Sequence, residues 1–186
     1  MAKNIQLIIG STRQNRVGAQ VAEWVKRHAE AHEGINVEVI DLKQENLPFF
    51  DAPTPPLYAP DSSAAGQAWA KKIERGDGFI FVTPEYNRGI PASLKNALDF
   101  LVAEWNHKPA AVVSYGWIDG VRRALDEDSF VQRFTPRKPR SNWSTVNIKR
   151  YKELDADGRI APPGRAAFEK QAAVVRTAFR NLEPWR

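Results

Sequence analysis

Three short polar stretches hold most of the side chains in this sequence that could bind or transform a ligand. Gly10-Ser11-Thr12-Arg13-Gln14-Asn15-Arg16-Val17-Gly18 sets two hydroxyls and two guanidinium groups between glycines. Those are oxyanion donors, and each guanidinium can meet a phosphate with two parallel N–H bonds. The spacing is not the G-x-G-x-x-G of dinucleotide sites, and no G-K-[ST] follows to make a P-loop. It suits a monophosphate cradle, or an ordinary turn with two solvated arginines. The second stretch, Thr83-Pro84-Glu85-Tyr86-Asn87-Arg88-Gly89, offers backbone amides, a phenol, a carboxamide and a carboxylate. The third, Ser114-Tyr115-Gly116 running into Trp117-Ile118-Asp119-Gly120, is another polar, glycine-containing turn with two aromatic rings.

The elements that position these stretches follow from hydrophobic periodicity. An apolar strand over residues 3–9 leads into the first stretch. A helix is expected over 16–30, with Val17, Val21, Trp24, Val25 and His28 on one face. Free N–H groups and the helix dipole make such a helix start an anion site. Residues 35–40 alternate as a second strand. Five prolines between 43 and 63 exclude a regular element and predict a long ordered loop. Its apolar Leu47, Phe49, Phe50, Leu57 and Tyr58 suit a cap on the sheet edge, a lid or a subunit interface. Asp61 or Ser62 is expected to cap the next helix, before a third strand over 79–82.

The second polar stretch continues as Ile90-Pro91-Ala92-Ser93-Leu94-Lys95-Asn96-Ala97-Leu98-Asp99-Phe100. Pro91 suits the first position of a helix. Residues 109–114 form a fourth strand, followed by an acidic helix over 121–134 and a basic loop over 135–141. Trp143 to Ile148 is a fifth strand, and a last helix carries Phe168, Ala172, Val175, Phe179 and Leu182 on one face.

Strands alternating with helices predict a doubly wound α/β fold: a five-stranded parallel sheet with helices on both faces in three α/β/α layers. In the flavodoxin-like order 2-1-3-4-5, the turns after strands one, three and four converge on one crevice at the switch point. One turn is suited to phosphate and the other two are flat, amide-rich and aromatic, which suits a mononucleotide with a planar ring.

A chain of 186 residues is expected to form one domain over 1–186, burying roughly 70% of its unfolded surface. With no cysteine, disulfides, thiolate metal sites and cysteine nucleophiles are excluded. The first apolar run is too short for a signal or spanning segment, so a soluble cytoplasmic protein is expected. The net charge of +5 favours anionic partners, with basic residues gathered through Arg133, Arg137, Lys138, Arg140, Lys149, Arg150 and Lys152. That cluster fits a solvated loop, a site for a phosphate-rich cofactor or nucleic acid. Asp155-Ala156-Asp157-Gly158 begins like a calcium loop but lacks the remaining ligands, and no metal site is expected. His28, His32 and His107 suit structural or solvated positions.

Gly10-Ser11-Thr12-Arg13-x-x-Arg16-x-Gly18, Pro84-Glu85-Tyr86-Asn87 and Gly89-Ile90-Pro91-Ala92-Ser93-Leu94-Lys95-Asn96-Ala97-Leu98-Asp99 together resemble the NADPH-dependent FMN reductase family. That family includes quinone, azo-dye and chromate reductases, and the likeness covers residues 5–120. It implies a flavodoxin-like fold, bound FMN, NADPH or NADH as hydride donor, and a homodimer or homotetramer. Two electrons would pass by a ping-pong scheme to a small acceptor: a free flavin, quinone, azo compound or metal oxyanion.

The resemblance also assigns residues. Ser11, Thr12, Arg13 and Arg16, with the amides near Val17 and Gly18, would hold the FMN phosphate. Pro84, Glu85, Tyr86 and Asn87 would line the ribityl chain and ring, and Ser114, Tyr115 and Gly116 would meet the pyrimidine edge. No side chain is assigned a catalytic role. The pattern departs from the family after Gly116, where Trp117-Ile118-Asp119-Gly120 and Asp126-Glu127-Asp128 replace a glycine-rich turn and a leucine-rich helix. Alternatives are a non-enzymatic flavodoxin-type electron carrier and a flavin-free regulatory or nucleic-acid-binding protein.

Overall fold

The computed structural model describes residues 2–87, 89–116 and the backbone of 143–148. Strands β1 (Lys3–Ile9), β2 (Ile35–Asp41), β3 (Gly78–Pro84) and β4 (Ala110–Tyr115) lie parallel in the order β2-β1-β3-β4. Between them run α1 (Gly18–Glu30), α2 (Leu42–Glu45), α3 (Ala64–Glu74), α4 (Ala92–Asp99) and a 3-10 turn at Ala103–Trp105. Trp143–Ile148 is extended. The parallel α/β sheet with helices on both faces is flavodoxin-like, as the sequence implies.

Alternate residues of β1, β3 and β4 feed two cores, as the two-residue period of a strand requires. Leu7, Ile9, Ile80, Val82, Ala111 and Val113 pack with Val21, Trp24 and Val25 of α1 on one face. Ile8, Phe79, Phe81 and Val112 pack with Trp69 and Ile73 of α3 and Leu94 and Leu98 of α4 on the other. Trp105 closes this second core, its ring 4.8 Å from Phe79 and 6.3 Å from Trp69. Every residue of β3 and β4 is buried. With both faces covered, these strands read as unbroken apolar runs.

Several element boundaries differ from expectation. Helix α1 starts at Gly18, not at residue 16, because Val17 takes the cap position and the Arg16 side chain turns to Asp41. Pro91 is the cap of α4, with ψ 141°, and not its first helical residue; its carbonyl accepts the N–H of Leu94 and Lys95, both at 3.0 Å. Ser63, rather than Asp61 or Ser62, caps α3 by accepting the Gly66 N–H at 3.0 Å. Asp61 supports it, accepting the Ser63 N–H at 2.9 Å and hydroxyl at 2.7 Å. The proline-rich stretch is not wholly irregular. Helix α2 fits before the first proline, Pro48, with Asp41 as its cap and Asn46 ending it in the left-handed region at φ 47°. The expected helix over 121–134, basic loop over 135–141, basic cluster, 155–158 turn and last helix lie outside the described residues.

One polar group is fully buried in β1. Gln6 donates to the Glu38 carboxylate at 2.9 Å and to the Lys72 carbonyl at 2.7 Å, while Asn4 donates to the same carboxylate at 3.1 Å. Burial pushes the Glu38 carboxyl up, but the donors Gln6 and Asn4 and the charges of Arg75 and Lys72 outweigh it and hold the group below its ordinary 4.5. A carboxyl depressed in the folded state stabilises above its unfolded pKa, and that contribution is lost as pH falls through the folded value. Glu38→Gln should therefore lose less stability than the parent protein as pH falls below 4.5. Urea denaturation across that range checks this, and parallel acid profiles for the two proteins would refute it.

Candidate functional site

The chain crosses to β2 on one side of β1 and to β3 on the other, so the switch point lies between β1 and β3. β1 ends at Ile9, opposite Val82, and β3 runs two residues further to Pro84. Gly10 then donates its N–H to the Val82 carbonyl at 2.9 Å, and its own carbonyl accepts the Ser93 hydroxyl at 2.6 Å. A Cβ on Gly10 would lie 3.1 Å from Leu94 Cδ2 and 3.4 Å from the Val82 oxygen. Glycine makes this close approach of α4 to the backbone easy.

From Gly10 the two first stretches come together. Ser11 is fully buried and its hydroxyl shares a 2.6 Å hydrogen bond with the Tyr86 phenol. Thr12 and Arg13 are exposed, and the Arg13 guanidinium lies 5.8 Å from the centre of the Tyr86 ring. Among the described residues Arg13 makes no ion pair. Val17 is half-buried, and α1 begins with neither a side-chain cap nor an acidic residue in its first turn. Its first N–H groups are thus left for an anion.

Arg16 is placed differently from Arg13. Its Nη2 is ion-paired with Asp41, both side chains being only 12% exposed. Its Nε and Nη1 are buried without a hydrogen-bond partner among the described residues. An exposed pair such as Lys95–Asp99 is worth about 0–1 kcal/mol, and the part-buried Arg16–Asp41 pair is less screened by solvent.

Pro84 is buried at the end of β3, Glu85 and Tyr86 are half-buried, and Asn87 is exposed. Tyr86 and Gly89 close a tight turn with reciprocal N–H to carbonyl bonds of 2.9 Å. Asn87 sits in that turn at φ 51°, a left-handed conformation that asparagine tolerates better than most residues. In the neighbouring strand, Ser114 lies opposite Thr83 and Tyr115 opposite Pro84, which brings Gly116 beside Glu85. Ser114 is buried. The Tyr115 side chain belongs to the core under α1: a Cβ on Gly18 would lie 2.8 Å from its hydroxyl. The structure thus gathers the first two stretches around Ser11 and Tyr86 and sets the backbone of the third alongside, but turns Arg16 and the Tyr115 ring inward.

Three supporting residues had no role assigned from the sequence. Ser93 holds Gly10, Asp41 holds Arg16, and Asn96 holds the proline-rich loop by accepting the Phe50 N–H at 2.9 Å and donating to the Pro48 carbonyl at 2.7 Å. Ser93 and Asn96 lie in the 89–99 motif, so their place in it was the available signal. Asp41 carried none, since its partner is remote in sequence. In the loop, Leu47 and Phe50 pack on the second core, while Phe49, Leu57 and Tyr58 are 81%, 69% and 80% exposed.

A parallel α/β sheet with a helix start lacking a side-chain cap and a hydroxyl- and arginine-bearing loop at its switch point defines a flavodoxin-like protein. The NADPH-dependent FMN reductase family model matches residues 4–129, and this chain belongs to that family. A second family model, for a domain of unknown function, matches residues 95–167. The NAD(P)H-dependent FMN reductase C4B3.06c of Schizosaccharomyces pombe is 43% identical over 114 residues, 60% of this chain and 57% of the relative. A quinone reductase of Pseudomonas putida is 33% identical over 122 residues, 60% of this chain and 59% of the relative. The match thus spans less than two thirds of either relative's length. The fold is also that of FerB, a flavoenzyme NAD(P)H:(acceptor) oxidoreductase from Paracoccus denitrificans, at TM-score 0.71 and 23% identity over 98% of both chains.

The Gly18–Tyr115 contact gives a packing test. Gly18→Ala should cost about 1–3 kcal/mol by overpacking. The cost should shrink in a Tyr115→Phe background, where the nearest remaining ring atom, Cζ, is 3.7 Å from the new Cβ. Chemical denaturation of the four proteins measures the coupling, and strictly additive costs would rule the contact out.

Proposed function

We propose that this protein is an FMN-dependent NAD(P)H oxidoreductase. The observation that carries the reading is the meeting, between β1 and β3, of a helix start without a side-chain cap and an Arg13 that makes no ion pair among the described residues with the hydrogen-bonded pair Ser11–Tyr86. These are hydroxyl, guanidinium and backbone N–H donors, with the half-buried Glu85 as the carboxylate nearest in the chain. The donor set fits a phosphate monoester, and the adjoining 84–87 and 114–116 backbone fits a flat ring.

In this reading Ser11, Thr12, Arg13 and the amides at Val17 and Gly18 hold the phosphate. Pro84, Glu85, Tyr86 and Asn87 line the ribityl chain and ring, while Ser114, Tyr115 and Gly116 offer backbone groups to the pyrimidine edge. Bound FMN would supply the redox chemistry, two-electron transfer from NADPH or NADH to a quinone, azo compound, free flavin or metal oxyanion. The chain's own contribution is to bind, orient and stabilise charge. Backbone donors at the pyrimidine edge favour the reduced ring electrostatically, and no side chain needs to act as acid or base.

The reading extends to the whole chain as one cytoplasmic domain with a five-stranded sheet in the order 2-1-3-4-5. Its support is the parallel register of Trp143–Ile148 beside β4, from Ala110 opposite Trp143 to Tyr115 opposite Ile148. It also includes a homodimer or homotetramer, supported by the exposed Phe49, Leu57 and Tyr58 on one loop. Replacing Phe49 and Leu57 by Asp should then reduce the sedimenting mass to that of a monomer. An unchanged mass would remove this loop from the interface.

Purified protein should be yellow, or turn yellow on reconstitution with FMN, and should oxidise NADPH in the presence of a quinone. Colourless protein that takes up no FMN would refute the reading, and flavin-loaded protein without turnover would reduce it to an electron carrier. Arg13→Ala removes a charge-assisted contact and should weaken FMN binding by about 1.5–3 kcal/mol, roughly 10- to 150-fold. Unchanged affinity in a fluorescence titration would count against the assigned cradle.

A further inference from the structure

We propose that Asp41 is a positioning residue for the phosphate loop, acting through Arg16. The proposal rests on the FMN reading for its ligand, but the tether itself is a property of the chain alone. Asp41 ends β2, with Ile9 opposite it in β1. Its carboxylate is held from two sides. Oδ1 accepts the Lys43 N–H at 3.0 Å, as the cap of α2, and Oδ2 receives Arg16 Nη2. A carboxylate fixed by its own helix cap is a firm anchor.

Arg16 is the arginine nearest the start of α1, and its side chain is turned to Asp41. Its Nη2 is paired, its Nε and Nη1 are buried with no hydrogen-bond partner among the described residues, and its side chain is only 12% exposed. Arg13, in contrast, is exposed and makes no ion pair among the described residues. The loop is therefore pinned at both ends. Gly10 is held by Val82 and Ser93, Ser11 by Tyr86, and Arg16 by Asp41, so that residues 12–15 run between fixed points. The paired charges of Arg16 and Asp41 cancel, which leaves Arg13 and the α1 start to attract the anion.

The test uses Asp41→Asn, which retains an oxygen for the Lys43 N–H while removing the charge, together with Arg16→Met and the double variant. In the flavin-free proteins trypsin should cleave after Arg13 about tenfold faster than in the parent, with cleavage after Lys26 and Arg27 in α1 unchanged. In titrations each single variant should bind FMN about tenfold more weakly. Riboflavin, which has no phosphate, should change by less than about threefold. The double variant should be no worse than the weaker single, because both changes cut one tether. Asp41→Asn protein that binds FMN as tightly as the parent, or more tightly, would overturn the proposal, since a released Arg16 would then be serving the phosphate directly. Unchanged cleavage after Arg13 would overturn it too. So would both single variants opening every tryptic site at once, because the pair would then support the whole fold. A parent protein that binds neither flavin refutes the FMN reading, and the trypsin arm still decides the tether.

Discussion

The crevice depends on how close the start of α4 comes to the end of β1. Gly10 makes that approach possible: it extends the β1–β3 ladder by one N–H bond to Val82, and the Ser93 hydroxyl closes on its carbonyl from α4. Leu94 occupies the space a side chain would need. With that junction fixed, the chain after Gly10 turns away from the sheet at one place only, and Ser11 is delivered to Tyr86. A side chain at position 10 would press on Leu94 of α4, which would have to give by a few tenths of an ångström.

The junction holds because the sheet behind it is rigid. β3 and β4 are buried along their whole length, so their backbone groups are committed to the ladder and the polar turns can form only where the strands stop. Helix α1 on one face and helices α3 and α4 on the other then fix where those turns point. Polar groups away from the crevice are tied into local networks, such as Gln6 with Glu38, or Lys108, which donates to the Ile73 and Glu74 carbonyls at the end of α3. Burial pushes the Lys108 ammonium below its ordinary pKa, with Glu74, Asp77 and Glu104 opposing the shift.

Much of this was legible in the sequence, for identifiable reasons. Apolar runs such as 78–82 have no other stable placement than a covered strand, and a polar turn after each one marks the carboxyl edge. What was hidden depends on contacts distant in sequence. Arg13 and Arg16 are the same residue type three positions apart, yet one is exposed and the other is paired with an aspartate at the end of β2. Tyr115 is expected beside the pyrimidine edge, and its ring fills the space left by Gly18, a contact distant in sequence. Asn87 shows a different ambiguity. A ligand-lining residue and a residue chosen for a left-handed turn look identical in a sequence, and its φ of 51° supplies the second reason without removing the first. Cap positions shifted by a residue or two because Ser63 and Pro91 compete with near neighbours of similar chemistry.

The central claim is that the loop from Ser11 to Gly18 is a seat for a phosphate joined to a flat ring. Parallel titration of the flavin-free protein with FMN and with riboflavin tests it most directly, because the two ligands differ only in the phosphate. The account predicts that FMN binds at least about tenfold more tightly, with an advantage that shrinks as salt is added. Equal affinity for the two flavins at low salt would contradict it.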